Sequence, residues 1–531
     1  MKNLQVRQTA GLIEGSRTVR SVAIAAALAC SALAASAQTA DPLRNAVEKA
    51  LQTNPEVAAR FNAYRAADDA IDVVRGGFLP RLDLDASVGK DRTSITSRVP
   101  ETQTVNRTGI GLTLSQLLWD GLATSNDVNR LSHEKRARYF ELIDTADQIA
   151  LEVARAYYDV LRYRRLVELA EDNYVQHKYV SLQIGKRTRA GVDRSVNLEQ
   201  ANARLALAES NLTTELANLH DVTARYQRLV GDSPPPTLPI PGLLQQSVPN
   251  NATEATTQAI RRNPAISAAI ESLRAARSTV KIREAAFQPR VEARLRGGGG
   301  KNYQGVVDQD RNATAEIVMS WNLFAGGSDR ARVRQQVDLV NQAADVRDRT
   351  CREVRQTAAI AFNDTRKLTE QLTYLDRNTT AITSARDAYR IQFDNSIAGR
   401  TLLDLLNSEN EVYTARRSLA NAQYDQGLAY VRTQAAMSSL ISSLGLAKPN
   451  TGANDEAGWS AGADAPARCP VLVPDVPPSK KTELDQRADD MAQANPGGAA
   501  ITAPTVPAMT PAPSAMPPAP PPVPQRGTRR N

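Results

Sequence analysis

Pro80-Arg81-Leu82-Asp83-Leu84-Asp85-Ala86-Ser87-Val88 decides how the rest of the chain is read. Leu82, Leu84, Ala86 and Val88 fall on one side of an extended backbone, and Arg81, Asp83, Asp85 and Ser87 on the other. Period-two alternation marks a strand with one apolar and one wet face. After a polar loop from Lys90 to about Asn106 the alternation resumes, with Ile110, Leu112 and Leu114 against Gly111, Thr113 and Ser115. The wet face carries full charges, and each strand of about ten residues is long enough to cross a bilayer when tilted. A second hairpin repeats the first. Val291, Ala293 and Leu295 alternate with Arg290, Glu292, Arg294 and Arg296, and Ala315, Ile317, Met319, Trp321 and Leu323 with Thr314, Glu316, Ser320 and Asn322. The run Gly297 to Gly300 reads as the tip of this hairpin. It lacks the Lys-Ser/Thr and the helix that a phosphate loop needs.

Two hairpins give four strands, too few to close a barrel. An open sheet edge in lipid leaves backbone groups unpaired, so several chains must share one barrel. Charged strand faces then require a water-filled lumen, because charge on the lipid side costs several kcal/mol per residue near mid-membrane. Eight strands leave an interior just filled by side chains, whereas twelve leave room for passage, which favours three chains.

The remaining sequence is mostly helical. Residues 41 to 76 read as one helix, opened by Asp41-Pro42 and closed by Gly76-Gly77. From about Ser125 to Lys186, Leu142, Ala146, Ile149, Val153, Ala156, Val160, Tyr163, Val167, Ala170 and Tyr174 recur at three- and four-residue steps. That is a sustained heptad seam, predicting a coiled-coil rod roughly 90 Å long. The chain turns at Arg189-Ala190-Gly191 and returns with Leu198, Ala201, Leu205, Ala208, Leu212, Leu219, Val222, Tyr226 and Leu229 in the seam, where Glu215 is the one polar intruder. A Pro-rich linker follows.

The same unit then starts again. Asn54-Pro55 is echoed by Asn263-Pro264, and Phe78-Leu79-Pro80-Arg81 by Phe287-Gln288-Pro289-Arg290, both at an offset of 209 residues. Leu118-Trp119-Asp120-Gly121 is echoed by Leu323-Phe324-Ala325-Gly326, and Gly191 by Gly399. The last helix keeps its seam through Val412, Ala415, Leu419, Ala422, Ala429 and Leu440. The chain divides into residues 1–37, a signal peptide; 38–250 and 251–447, two structural repeats; and 448–531, a Pro/Ala-rich tail too poor in apolar surface to fold and read as disordered.

Composition sets further bounds. The chain has 531 residues, a net charge of +8 and only 5% aromatic residues, which suits long Ala/Leu helices better than a large compact core. The basic excess is not a nucleic-acid signature, because Lys2, Arg7, Arg17 and Arg20 against Glu14 supply +3 of it before the mature chain begins. The apolar run Val22 to Ala35 and the small-x-small site Ala35-Ser36-Ala37 read as a cleaved secretory signal. Cys30 offers a lipoprotein alternative, but Ala27 stands where a lipobox wants a large aliphatic residue. No later segment has 18 consecutive apolar residues, so an exported chain that enters a membrane does so with strands. Cys351 and Cys469 remain after cleavage. In an oxidising compartment they form either one disulfide tying the tail to a helix or two separate thiols. His133, His177 and His220 show no metal or catalytic spacing, and no cofactor-binding motif is readable.

The duplicated unit, the Asn-Pro and Phe-x-Pro-Arg pairs, the Leu118-Gly121 and Leu323-Gly326 motifs and Ala398-Gly399-Arg400-Thr401-Leu402-Leu403-Asp404-Leu405-Leu406 together resemble the TolC family of outer-membrane channel proteins. The resemblance covers residues 41 to 446 and is strongest toward the branch serving type I secretion. It implies an α+β membrane protein: a homotrimer whose twelve strands form one shared transmembrane β-barrel, continued by a long periplasmic coiled-coil tube. It implies export of proteins or small toxic compounds, with no enzymatic activity and no cofactor. The implied partners are a periplasmic adaptor (membrane fusion) protein, an inner-membrane ABC or proton-driven transporter, and outer-membrane lipid.

In that family the helix tip closes the periplasmic end with an arginine and rings of aspartate, so Arg400 and Asp404 are candidate gate residues. Asn407 stands where a second aspartate is often found, and Phe393 is close to, but out of register with, the family's tyrosine. A plain alternative is a helix-start ion pair between Arg400 and Asp404, with Asp404 favoured by the helix dipole. The alternative for the whole chain is a coiled-coil envelope scaffold without a pore, which accounts for the heptads but not for the charged alternating strands.

Overall fold

The computed structural model describes residues 41–246, 248–303, 307–394, 401–449, 468–473 and 480–494. The expected signal peptide with Cys30, the turn residues Gly399 and Arg400, and the Pro/Ala-rich end of the tail lie outside the described residues.

Two helices, α1 (Pro42–Thr53) and α2 (Pro55–Arg75), stand where the sequence suggests one. Asn54 separates them. Its backbone is extended (φ −69°, ψ 125°) and its side chain accepts from the Glu56 N–H at 2.9 Å. Proline disfavours the α region for the residue before it, and asparagine is a strong N-cap, so Asn-Pro breaks one helix and starts the next. Asn263 does the same between α5 (Ala252–Arg262) and α6 (Pro264–Glu284), accepting from the Ile266 N–H at 3.1 Å. The Asn-Pro repeat is thus a pair of matched caps.

A 3₁₀ turn after α2 and another after α6 lead into the strands β1 (Arg81–Ser94), β2 (Thr102–Trp119), β3 (Arg290–Lys301) and β4 (Gln309–Ser320). They form one antiparallel sheet in the order β1-β2-β3-β4, so the two halves of the chain meet where β2 pairs with β3. The first hairpin zips further than the polar residues suggest. Lys90 pairs with Asn106 and Ser94 with Thr102, leaving residues 95–101 as the loop. Polar side chains on both faces erase the alternation there without weakening the ladder. The glycine run is also not a tip. Gly297 to Gly300 lie within β3, opposite Leu112 to Gly109 on one side and Ala313 to Asp310 on the other. The turn comes later, where Asn302 and Asp308 take positive φ (54° and 76°) and the Asp308 N–H donates to Asn302 Oδ1 at 2.8 Å. Asparagine and aspartate tolerate this region better than most residues.

After β2 the chain turns at Gly121 (φ 69°), where a Cβ would meet the Ala285 carbonyl at 2.9 Å. It then enters α3 (Ala123–Arg189, 67 residues), returned by α4 (Ser195–Val230, 36 residues). The second half repeats these lengths in α7 (Ser328–Asp394, 67 residues) and α8 (Leu402–Ala436, 35 residues). At the helical rise, 67 residues give a rod of about 100 Å. The seam residues of α3 are buried or half-buried throughout, as the heptad spacing requires.

The largest apolar cluster gathers Leu43 and Val47 of α1, Leu142, Ile149, Val153, Tyr157 and Tyr158 of α3, Val222 and Tyr226 of α4 and Leu428 of α8, with Leu440 of the short α9 (Leu440–Ser443). The Pro-rich linker is pinned to this region: Tyr157 Oη donates to the Pro239 carbonyl at 2.8 Å, and Arg164 donates to the carbonyls of Pro235 and Pro236 at 2.7 and 2.9 Å.

The tail is not wholly unstructured. Residues 468–473 form a strap across α5, α6 and α7. Cys469 is disulfide-bonded to Cys351 of α7 with the Cα atoms 5.8 Å apart, Arg468 donates to the Ile260 carbonyl at 2.7 Å and to Ser267 Oγ at 2.5 Å, and Arg355 donates to the Pro470 carbonyl at 3.2 Å. Residues from Pro474 onward make a separate unit in which α10 (Lys481–Ala494) is a helix with no buried residue. Composition hides the strap, because a disulfide and arginine bonds to carbonyls replace the apolar burial that the tail lacks. No described helix is long and apolar enough to cross a membrane.

Candidate functional site

Two places carry the chemistry: the charged face of the sheet and the far end of the α7–α8 hairpin. On the sheet, alternation sends Leu82, Leu84, Val88, Ile110, Leu112, Leu295, Ile317 and Met319 to one face, where all are exposed. The opposite face carries paired charges. Arg81 meets Asp83 at 2.9 Å, Glu292 lies between Arg290 at 2.6 Å and Arg294 at 2.8 Å, and Arg296 faces Glu316 at 3.5 Å. An exposed face that is apolar from the helical end to mid-sheet, backed by a lattice of ion pairs, suits lipid outside and water inside. The glycines in this sheet make room for an aromatic ring. Tyr303 lies on the charged face against Gly109, Gly111 and Gly298, where a Cβ at Gly109 would fall within the ring, and the Arg107 guanidinium stands 5.9 Å from its centroid.

At the helical end, the leucines of the Thr401–Leu406 segment do the packing. Leu402, Leu405 and Leu406 close over Val180 and Ile184 of α3 and Ala201 of α4, with Phe393 alongside and Arg187 stacked 5.7 Å from the Phe393 ring. Asp404 is the acidic half of a capping box. Its Oδ2 accepts from the Thr401 N–H at 2.9 Å, and its own N–H donates to Thr401 Oγ1 at 3.3 Å. Asn407 Oδ1 accepts from Arg204 of α4 at 2.8 Å. Two of the three candidate gate residues therefore sit at the first turns of α8, one as a cap and one as a tie to α4, while Arg400 lies outside the described residues.

A buried ion-pair cluster lies about one helical turn beyond Asp404, at residues the sequence reading did not select as gate residues. Glu409 of α8 is 4% exposed and accepts from Arg386 Nη1 of α7 at 2.9 Å and from Arg390, which also donates to Gln176 of α3 at 2.7 Å. One carboxylate thus ties α7 to α8, and Arg390 carries the tie on to α3. The neighbouring His177 is buried, its Nδ1 has no hydrogen-bond partner among the described residues, and burial lowers its pKa against the pull of Glu409. Glu215, the polar intruder in the α4 seam, is also buried and accepts from Arg417 of α8 at 2.5 Å. Glu409 falls on the seam three residues before Val412, so a charge at a heptad core position was its available signal in the sequence. Glu215 shows the same signal and the same outcome.

A cavity of about 470 Å³ opens where α3, α6, α7 and α8 meet, lined by Asp144, Asp147, Glu353, Asp364, Arg155 and Arg432 among others. Burial pushes the Asp144 carboxyl up to about 6, reinforced by Asp147 and opposed by Arg60. Asp147 is likewise raised by burial, against the pull of Lys448. Among the described residues no group of three or more His, Cys, Asp or Glu is placed to hold a metal ion.

Comparison with known proteins gives this geometry its context. The family model for the outer membrane efflux protein matches residues 46–232 and again 255–439, one match per repeat. The efflux protein BepC of Brucella suis is 24% identical over 413 residues, covering 76% of this chain and 87% of BepC. TolC of Escherichia coli is 22% identical over 435 residues (76% and 83%), and the alkaline protease secretion protein AprF of Pseudomonas aeruginosa 25% identical over 404 residues (72% and 81%). Among solved structures, the outer-membrane channel OprN superposes with a TM-score of 0.67 at 22% identity, covering 75% of this chain and 90% of that one. The Campylobacter jejuni CmeC channel gives 0.68 at 15% identity, covering 80% and 90%. Members of this family are channels rather than enzymes. With two matched repeats spanning well over half of its length, the chain belongs to the outer membrane efflux protein family: it is a TolC-type outer-membrane channel protein, with its sheet in the membrane and its helices forming a large periplasmic part.

Proposed function

We propose that three copies of the chain assemble into one twelve-stranded barrel continued by a helical tube, and that this trimer is a passive export duct through the periplasm and outer membrane. The observation that carries the reading is the sheet itself. Its order leaves β1 and β4 with a partner on one side only, and its charged face needs water. Open edges are not stable in lipid, and a charged interior needs more room than eight strands provide. The first turns of α8 are the closing end. Arg400, Asp404 and Asn407 are the gate residues in this reading, at the end of the tube about 100 Å from the sheet by helix rise. The duct docks on a periplasmic adaptor and an inner-membrane transporter, ABC-type or proton-driven. BepC is named for efflux and AprF for protease secretion, so the cargo is a small toxic compound or a secreted protein.

Mass measurement in mild detergent followed by planar-bilayer recording tests this. A trimer that conducts supports it, and conductance should rise when Arg400→Ala and Asp404→Ala are combined. A stable monomer overturns the assembly. A trimer without conductance in either form leaves the coiled-coil scaffold as the function.

A further inference from the structure

The apolar face of the sheet does not stay apolar along its whole height. Its side chains are uncharged from the helical end upward until Lys90 and Arg92 on β1, Lys301 on β3 and Arg311 on β4. All four charges on this face are basic, all lie toward the hairpin loops, and all four residues are exposed. The opposite face, by contrast, mixes both signs in ion pairs. Lys301 and Arg311 make no ion pair with any described residue. Their register makes them diagonal neighbours on adjacent strands, two residues apart: Lys301 pairs with Gln309 and Gly299 with Arg311, and the Arg311 side chain runs across Gly299.

Beside these two cations the face is hollowed. A groove of about 710 Å³ is floored by Gly297 to Gly300, where no side chains project, and walled by Leu84, Ile110 and Leu112. Its one acid, Asp310, stands at an alternate position of β4 that projects to the charged face. The height of the cations follows from strand geometry. Trp321, half-exposed at the helical end, marks one membrane interface, where tryptophan is enriched. Arg311 is ten residues before it, all but the last step within β4. That is roughly 33 Å along the strand and roughly 25 Å along the membrane normal at a tilt of about 40°. The apolar band of an outer-membrane barrel is about 25 Å tall. The cations therefore stand at the opposite interface, which is the cell-exterior leaflet because the helices are periplasmic. At that depth a cation costs little, and a basic pocket beside an apolar wall fits a lipid phosphate.

We propose that this groove is a specific lipid site: it takes an acyl chain of lipopolysaccharide against Leu84, Ile110 and Leu112 while Lys301 and Arg311 bind a phosphate of the lipid A headgroup. Lys90 and Arg92 extend the same basic rim across β2. The site depends on the sheet lying in the outer membrane, and neither on the number of chains in the assembly nor on the gate.

Native mass spectrometry of the full chain, purified in detergent and titrated with lipid A, tests the assignment. The wild-type protein should retain lipid A and should lose at least tenfold in apparent affinity when the lipid is enzymatically dephosphorylated. The Lys301→Gln, Arg311→Gln double variant should show the same loss with intact lipid A. Phosphatidylglycerol should bind at least tenfold more weakly than lipid A. Equal affinity for intact and dephosphorylated lipid A in the wild type overturns the phosphate site. That arm decides the question even if the variant does not insert. An unchanged affinity in a well-folded variant overturns the named residues, and equal binding of phosphatidylglycerol overturns lipopolysaccharide as the occupant.

Discussion

Replacing Glu409 with alanine should loosen the far end of the α7–α8 hairpin without unfolding the rest. The carboxylate is 4% exposed, and it is shared by Arg386 and Arg390, whose side chains are 12% and 33% exposed. Removing one partner of a buried pair typically costs about 3–5 kcal/mol, because it strands the opposite charge. Here Arg386 keeps a contact to the exposed Asp387 and Arg390 keeps Gln176, so the lower end, about 3 kcal/mol, applies. If the loss is confined to local opening of the end of α7 and the start of α8, amide hydrogen exchange there should accelerate by about 100-fold, since each 1.36 kcal/mol is tenfold. Hydrogen–deuterium exchange by mass spectrometry on the detergent-purified protein reads this directly. Peptides covering residues 380–394 and 402–416 should speed up, while those over the α3 seam from Leu142 to Val160 should not. Glu409→Gln, which keeps the shape and some hydrogen bonding, should fall between the two. Exchange at the hairpin end within threefold of wild type, or an equal acceleration across α3, would refute the idea that this carboxylate is a local clasp.

Three further outcomes follow from other residues. Thr401→Ala removes half of the capping box and should raise local exchange at the start of α8 by an amount matching about 1 kcal/mol, leaving the Glu409 region unchanged. Cys469→Ser releases the strap. By the chain-entropy view a loop of about 100 residues is worth about 4–5 kcal/mol, so a clear fall in melting temperature is expected, and a fragment produced by a protease site engineered between residues 450 and 467 should stay attached only without reductant. Asp144 has its folded pKa raised to about 6, so the folded state binds its proton more tightly than the unfolded chain does. That contribution is fully present below the unfolded value near 4 and is lost as pH rises through about 6. Melting temperature should therefore decline between pH 4 and pH 7, and Asp144→Asn should flatten that decline; a variant with the wild-type slope would remove Asp144 as its source.

Much of this architecture was legible in the sequence because burial here is periodic. The α3 seam from Leu142 to Tyr174 and the outward leucines of β1 repeat at fixed steps, and a repeat survives even when each residue is individually ambiguous. Duplication doubled that signal. What escaped was aperiodic. Gly297 to Gly300 carry no side chains and so give strand alternation nothing to act on, although their ladder is complete. Asn54 sits inside a helix-compatible stretch, and only the proline after it signals that it ends one helix and caps the next. At the candidate gate, Arg204 and Asn407 are brought together by the crossing of α4 and α8 and share no local pattern. Glu409 and Glu215 were visible as charges in apolar seams, but their arginine partners on neighbouring helices were not. The strap at Arg468 and Cys469 depends on a carbonyl, a hydroxyl and a thiol drawn from three distant helices, a combination that composition alone conceals.

The bond between Cys351 and Cys469 also bears on how the protein is made. Its second half lies 118 residues after its first, and both structural repeats, all four strands included, precede it in the chain. A polypeptide leaving the inner membrane N-terminus first therefore delivers its complete channel-forming sequence before the partner thiol arrives. A chain cut short by ribosome stalling or proteolysis would carry Cys351 unpaired at the surface where the strap belongs. The thiol state at that one position therefore distinguishes a chain that has reached Cys469 from one that stops short of it.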